Sequence, residues 1–184
     1  MSILDIRVLG DPALRKPTRP VRDVTDELRK LIGDLFETMY AAEGIGLAAP
    51  QVGRGERIAV VDVGGQKFAL INPEIVSREG SAKAEEGCLS IPDIYGDVER
   101  PLVVTIRATD ENGQPYEATG ADLLGRCFQH EIDHLDGKLF IDYLSPLKRR
   151  AALSKWEKAK DEYPGYIRKV RAEEPGLHHH DTEM

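Results

Sequence analysis

The sequence predicts an α+β fold: short antiparallel sheets packed around a central helix, with a further helix toward the C-terminus. Three observations point there. Residues 24–42 carry an apolar stripe at helical spacing, made of Leu28, Leu31, Ile32, Leu35, Phe36, Met39 and Tyr40. Between 57 and 119, short apolar segments are separated by turn-forming residues. Two further helical stretches follow these strands rather than alternating with them, which argues against a doubly wound parallel sheet.

The elements follow in order. Pro12, Pro17 and Pro20 break any long element in residues 1–22. Asp23 or Thr25 suits the start of the first helix and Gly44 its end. Arg57–Val63 and Lys67–Ile71 flank Gly64, Gly65 and Gln66 and read as a hairpin, with Glu74–Arg78 as another strand. Pro101–Ala108 and Tyr116–Thr119 flank the turn signal Asp110–Gly113 and form a second hairpin. Residues 121–136 form the second helix, ended by Gly137. Ser145 and Pro146 supply a cap and a first-turn proline for a third helix, running to about Glu162. One domain over 1–171 and a flexible tail over 172–184 are expected.

Composition excludes several classes. Of 184 residues, 41% are hydrophobic and 31% charged, an ordinary globular balance. The net charge of −7 disfavours general binding to DNA, which needs clustered cations. No apolar run suits a membrane span and no secretory signal is visible, so the chain reads as cytoplasmic. The two cysteines are too few for a disulfide framework. Charge is uneven: residues 145–171 hold nine Lys or Arg and three acids, a local net of +6. The remainder therefore carries −13. That basic stretch suits a solvated helix face or a local contact with an anionic partner.

The sharpest chemical signal lies in the second helix. His130 and His134 are four residues apart, which puts their β-carbons about 6 Å apart on one helix face. Both imidazoles can then reach one metal ion. Glu131 is turned by about 100° from His130, so it can serve a reacting water rather than the metal. The chain has five histidines, and the other three form the run 178–180. A catalytic site of this kind needs a third ligand. Cys88, within Glu85–Ser90, is the better candidate, although a small buried hydrophobe would explain it too. Glu157 is the alternative, and would make the protein a zinc metallopeptidase.

Three segments resemble the peptide deformylases: Gly44 to Gln51 (GIGLAAPQ), Glu86 to Ser90 (EGCLS) and Gln129 to Gly137 (QHEIDHLDG). Their order and spacing match over about residues 3–162. The resemblance implies a hydrolase that removes the formyl group from the N-terminal formyl-methionine of new polypeptides, releasing formate. It implies that Cys88, His130 and His134 hold the metal and that Glu131 is the general acid and base. Gln51 and the Leu89 N–H would stabilise the developing oxyanion. The backbone at Ile45 and Gly46 would pair with the substrate peptide. Glu86, Leu123 and Cys127 are further candidates for substrate binding, Leu123 and Cys127 because they precede the histidine pair by about two turns and one turn.

The resemblance implies iron(II), with zinc, nickel or cobalt able to take its place; ligand chemistry alone would suggest zinc. It also implies transient docking of the C-terminal helix on the ribosome near the exit tunnel. Family members often carry an arginine shortly after the second motif, where this chain has Tyr95. A catalytically silent metal-binding homologue at the ribosome is the remaining alternative.

Overall fold

The structure, a computed structural model, describes residues 2–171 and 184. In chain order the elements are β1 (Ile6–Arg7), α1 (Asp26–Ala41), β2 (Gly46–Ala48), β3 (Ile58–Val63), β4 (Gln66–Glu79), β5 (Ala82–Cys88) and β6 (Ile91–Arg100). Then come β7 (Val103–Thr109), β8 (Pro115–Ala121), α2 (Asp122–Leu135), α3 (Pro146–Ala159) and β9 (Ile167–Arg168). Antiparallel pairing builds a five-stranded sheet in the order β2-β3-β4-β7-β8, a β5-β6 ribbon and a β1-β9 pair. The expected α+β architecture is what forms.

Helix α1 starts where the Thr25 hydroxyl accepts from the Leu28 N–H. Leu28, Leu31, Ile32, Leu35, Phe36 and Met39 bury its stripe against β2 and β3. Tyr40 departs from the expected stripe. It is half exposed, and its hydroxyl donates to Asp62. The left-handed residue after the helix is Glu43 (φ 59°), one position before the expected Gly44.

The first hairpin turns through Gly64 and Gly65, both at positive φ, as a two-residue connection between antiparallel strands requires. The expected strand at Glu74–Arg78 is the far end of β4, which continues across two register shifts. The β7-β8 hairpin forms with Gly113 at φ 78°.

The β5-β6 ribbon was not expected, because AKAEEGC has no alternating apolar pattern. It pairs from Ala82↔Arg100 to Cys88↔Ile91, and the register shifts between Gly87 and Cys88. That irregularity comes at the residue that matters most for the site.

Eleven of the 14 residues of α2 are buried, so it runs through the middle of the molecule. Leu124, Cys127, Phe128, Ile132 and Leu135 pack with Val61, Leu70, Val104 and Ile106 of the sheet. Helix α3 begins as expected, with Ser145 capping and Pro146 in its first turn. It ends at Ala159, and a short 3₁₀ turn covers Lys160–Glu162. Only Trp156 of α3 is buried; its indole N–H donates to the Leu9 carbonyl at 3.0 Å. The expected flexible tail lies outside the described residues, except for Met184, which is buried.

Candidate metal centre

Three elements meet at one point. Helix α2 carries His130 and His134 on a single face, one turn apart. The end of β5 brings in Cys88. A 3₁₀ turn at Ala49–Val52 brings in Gln51. The Cys88 Sγ and the two imidazoles offer ligand atoms all within 4.8 Å of one another, and all three residues are buried. Cys88 Sγ lies 3.4 Å from His134 Nε2, which lies 3.1 Å from His130 Nε2.

The chemistry of this donor set fits a divalent ion. Nitrogen and sulfur ligands at tetrahedral bond lengths sit roughly 3.3–3.6 Å apart. The observed spacing is that of a set already gathered around one point. His130 Nδ1 lies 3.0 Å from Glu86 Oε1, which directs Nε2 into the site. Burial, followed by the neighbouring His130, pushes the His134 pKa well down, keeping it in the neutral form that binds metals. Glu157, the alternative third ligand, is on the exposed face of α3, paired with Lys160 at 2.7 Å. The structure rules it out as a ligand.

Glu131 is fully buried, and neither carboxylate oxygen has a hydrogen-bond partner among the described residues. Burial, and then the negative Glu86, raise its pKa well above the usual carboxylate range. A dication in the site would oppose that shift. Gly46 lies against this carboxylate: a β-carbon there would come within 3.0 Å of Glu131 Cδ and 2.9 Å of Cys127 Sγ.

Gln51 is oriented by its neighbours. Its Oε1 accepts from the Ala48 N–H at 2.9 Å, which fixes which end of the amide is oxygen. Its Nε2 then faces Ser90 Oγ at 3.1 Å and Cys88 Sγ at 3.7 Å. The Leu89 N–H donates to the Met184 carbonyl oxygen at 2.8 Å.

Glu86 stands behind the metal site rather than on its open side. Its oxygens accept from Arg100 Nε (2.6 Å) and Nη2 (2.9 Å), from Arg126 Nη1 (2.7 Å), and meet His130 Nδ1. Burial alone would raise its pKa. His130 and Arg100 outweigh that and hold it well below the usual carboxylate range. Both oxygens are thus engaged by groups of the chain itself. Arg100 also reaches Asp133 at 2.9 Å, and the Tyr143 hydroxyl donates to the same carboxylate oxygen.

The sequence reading missed Arg100 and Arg126, both buried. No local signal in the sequence marks them, because the burial of Glu86 that demands cationic partners is itself a tertiary property.

Cys127 remains a thiol, its pKa raised by burial and then by Glu131, and it donates to the Ile45 carbonyl at 3.6 Å. Leu123 lines a cavity with Ala82, Ala84, Leu102 and Arg126, and Leu124 packs with Cys127 in the apolar cluster. Of the expected peptide-pairing backbone, Ile45 immediately precedes β2 and Gly46 opens it, and β2 is an edge strand of the five-stranded sheet.

A family model described as polypeptide deformylase matches residues 3–150. The chain belongs to the polypeptide deformylase family. The peptide deformylase of Alkalilimnicola ehrlichii is 54% identical over 162 residues, covering 86% of this chain and 91% of that protein. That of Hydrogenovibrio crunogenus is 52% identical over 161 residues, covering 86% and 95%. The crystal structure of a deformylase from Legionella pneumophila superposes with a TM-score of 0.84 at 49% identity, covering 88% of this chain and 97% of that one. Membership in the deformylases accounts for the three motifs together. Among the described residues, no helix is long and apolar enough to cross a membrane.

Proposed function

We propose that this protein hydrolyses the formamide of N-formylmethionyl nascent polypeptides in the cytoplasm, releasing formate and a free amino terminus. The observation that carries the reading is the convergence of Cys88, His130 and His134 within 4.8 Å, beside the buried Glu131 with no other partner among the described residues. Cys88 Sγ, His130 Nε2 and His134 Nε2 would hold the ion, with iron(II) as the resident metal by family resemblance. Bound there, a divalent ion supplies a Lewis acid and makes water acidic near neutral pH.

The remaining steps belong to the chain's own groups. Glu131 accepts the proton lost by water as the oxygen–carbon bond forms. It returns that proton to the nitrogen as the carbon–nitrogen bond breaks. The Leu89 N–H and the Gln51 amide are the donors nearest the developing oxyanion, and one such donor is typically worth about 3–4 kcal/mol of barrier. The open edge of β2 suits an extended peptide added as a further strand. Cys127, beside Gly46, borders the methionine pocket and stays uncharged. The exposed basic face of α3 would bring the site to the ribosome near the exit tunnel.

Anaerobic purification with metal analysis, followed by assay on formyl-Met-Ala-Ser and on the same peptide acetylated or unformylated, tests this reading. Stoichiometric metal with formate release only from the formylated peptide is expected. Metal-dependent cleavage of an internal peptide bond instead would overturn it.

A further inference from the structure

Met184 is the last residue of the sequence and is fully buried. It sits in the apolar cluster of α2 and the sheet that includes Leu124, Cys127, Phe128 and Val61. Its carbonyl oxygen accepts from the Leu89 N–H at 2.8 Å. Leu89 is itself fully buried, so this carbonyl is the one acceptor that its N–H meets among the described residues. A methionine side chain packed beside Cys127 and a main-chain oxygen on the N–H assigned to the formyl oxygen together take up the two places that a formyl-methionyl group would use.

We propose that Met184 occupies the protein's own substrate pocket and competes with nascent chains for it. The inference rests on the proposed deformylase reading, which assigns the Leu89 N–H to the substrate. Tethered to the same chain, Met184 is present at an effective concentration on the order of millimolar. That is at or above the usual range of KM, so an occupant of ordinary affinity suffices to hold the pocket part of the time. Apparent substrate affinity then falls in proportion to the fraction of molecules with an open pocket. A longer nascent chain, with backbone to lay along β2, gains contacts that Met184 alone lacks and displaces it.

The test uses the full chain carrying its metal. With three methionines in the sequence, ¹³C-methyl labelling gives a small set of signals, and Met184→Leu assigns the one of interest. The Met184 methyl is expected away from its free-chain position, moving to it as formyl-Met-Ala-Ser is added. Met184→Ser should lower KM for that peptide about tenfold if the pocket is closed nine-tenths of the time, with kcat unchanged. Met184→Leu should stay near the parent. A Met184 methyl at its free-chain position without peptide overturns the proposal. So does a shifted methyl that the peptide does not move, or a KM unchanged in Met184→Ser. If no formylated peptide is hydrolysed by any form, the proposed function fails, and displacement of the methyl signal by the peptide decides the occupancy by itself.

Discussion

Glu86 Oε1 lies 3.0 Å from His130 Nδ1, while both of its oxygens are also held by Arg100 and Arg126. One buried carboxylate thus orients a candidate metal ligand and pairs with two buried guanidiniums, with Asp133 supplying a second negative charge beside Arg100. A hydrogen-bonded partner behind a ligating histidine is typically worth about 10–100-fold in metal affinity.

Glu86→Gln should therefore lose metal more readily, measured by competition with a chelator. It should also be less stable. Removing one partner of a buried ionic group costs about 3–5 kcal/mol, which lowers Tm by roughly 10 °C in a chain of this size. The pH dependence has a definite sign. The Glu86 pKa is lowered on folding, so its contribution is complete above the ordinary carboxylate value of 4.5 and is lost as pH falls toward the folded value. Thermal melts from pH 7 down to 3 should show the parent losing its advantage over Glu86→Gln. A constant gap between the two would assign the acid sensitivity to other groups.

Glu131 has the opposite sign. Its pKa is raised in the metal-free fold, so between 4.5 and the folded value the native state holds more protons than the unfolded chain, and stability falls as pH rises. Metal-free Glu131→Gln should accordingly melt higher than the metal-free parent at pH 7. The loaded variant should retain its metal and lose more than roughly a hundredfold in turnover, because an amide cannot take the proton from water. Full activity in the variant would move the proton transfer to another group.

The two cysteines should separate cleanly. Cys88 faces the histidines, whereas the Cys127 thiol is turned to the Ile45 carbonyl and held protonated by burial. Cys88→Ala should lose most of its metal and Cys127→Ala should keep it, as read by elemental analysis after gel filtration. Equal metal in Cys88→Ala and the parent would remove the thiolate from the site.

Gly46 tests the fit between the edge strand and the acid on α2. A methyl at this position meets Cys127 Sγ at 2.9 Å and Glu131 Cδ at 3.0 Å, and the carboxyl carbon has no room to retreat in a fully buried site. Gly46→Ala should fold and bind metal but lose turnover by about tenfold or more, since small misplacements of a reacting group cost rate steeply. Unchanged kcat would show that Glu131 tolerates the displacement.

Much of this architecture was legible because it rests on local rules. The stripe of α1, the Gly64-Gly65 hairpin and the His130/His134 spacing are each set by residues close in sequence. The β5-β6 ribbon was not legible, because its pairing replaces the missing apolar alternation and its Cys88 end is fixed by a register shift. The surroundings of Glu86 were not legible for a related reason. A carboxylate next to a glycine reads as solvated until Arg100 and Arg126, 14 and 40 residues away, fold over it. Leu123 lies on the histidine face by helical spacing, but whether it lines a cavity or packs into the sheet is decided by tertiary contacts. The role of Met184 depends entirely on tertiary placement.

The basic helix α3 is the last case. Lys148, Arg149 and Arg150 are exposed in or just beyond its first turn, where cations oppose the helix dipole at about 0.3–1 kcal/mol each in low salt. Arg149 is partly compensated by Asp142 at 3.6 Å. Reversing all three to Glu should therefore leave the helix at least as stable, so a loss of binding could not be ascribed to unfolding. If α3 docks on ribosomal RNA, the parent should co-sediment with ribosomes at low salt and release as salt rises, because phosphate contacts displace counterions. The triple reversal should then fail to co-sediment while hydrolysing short formyl-peptides at the parent rate. Equal co-sedimentation of parent and reversal at low salt would leave α3 as a solvated face whose charges serve solubility alone.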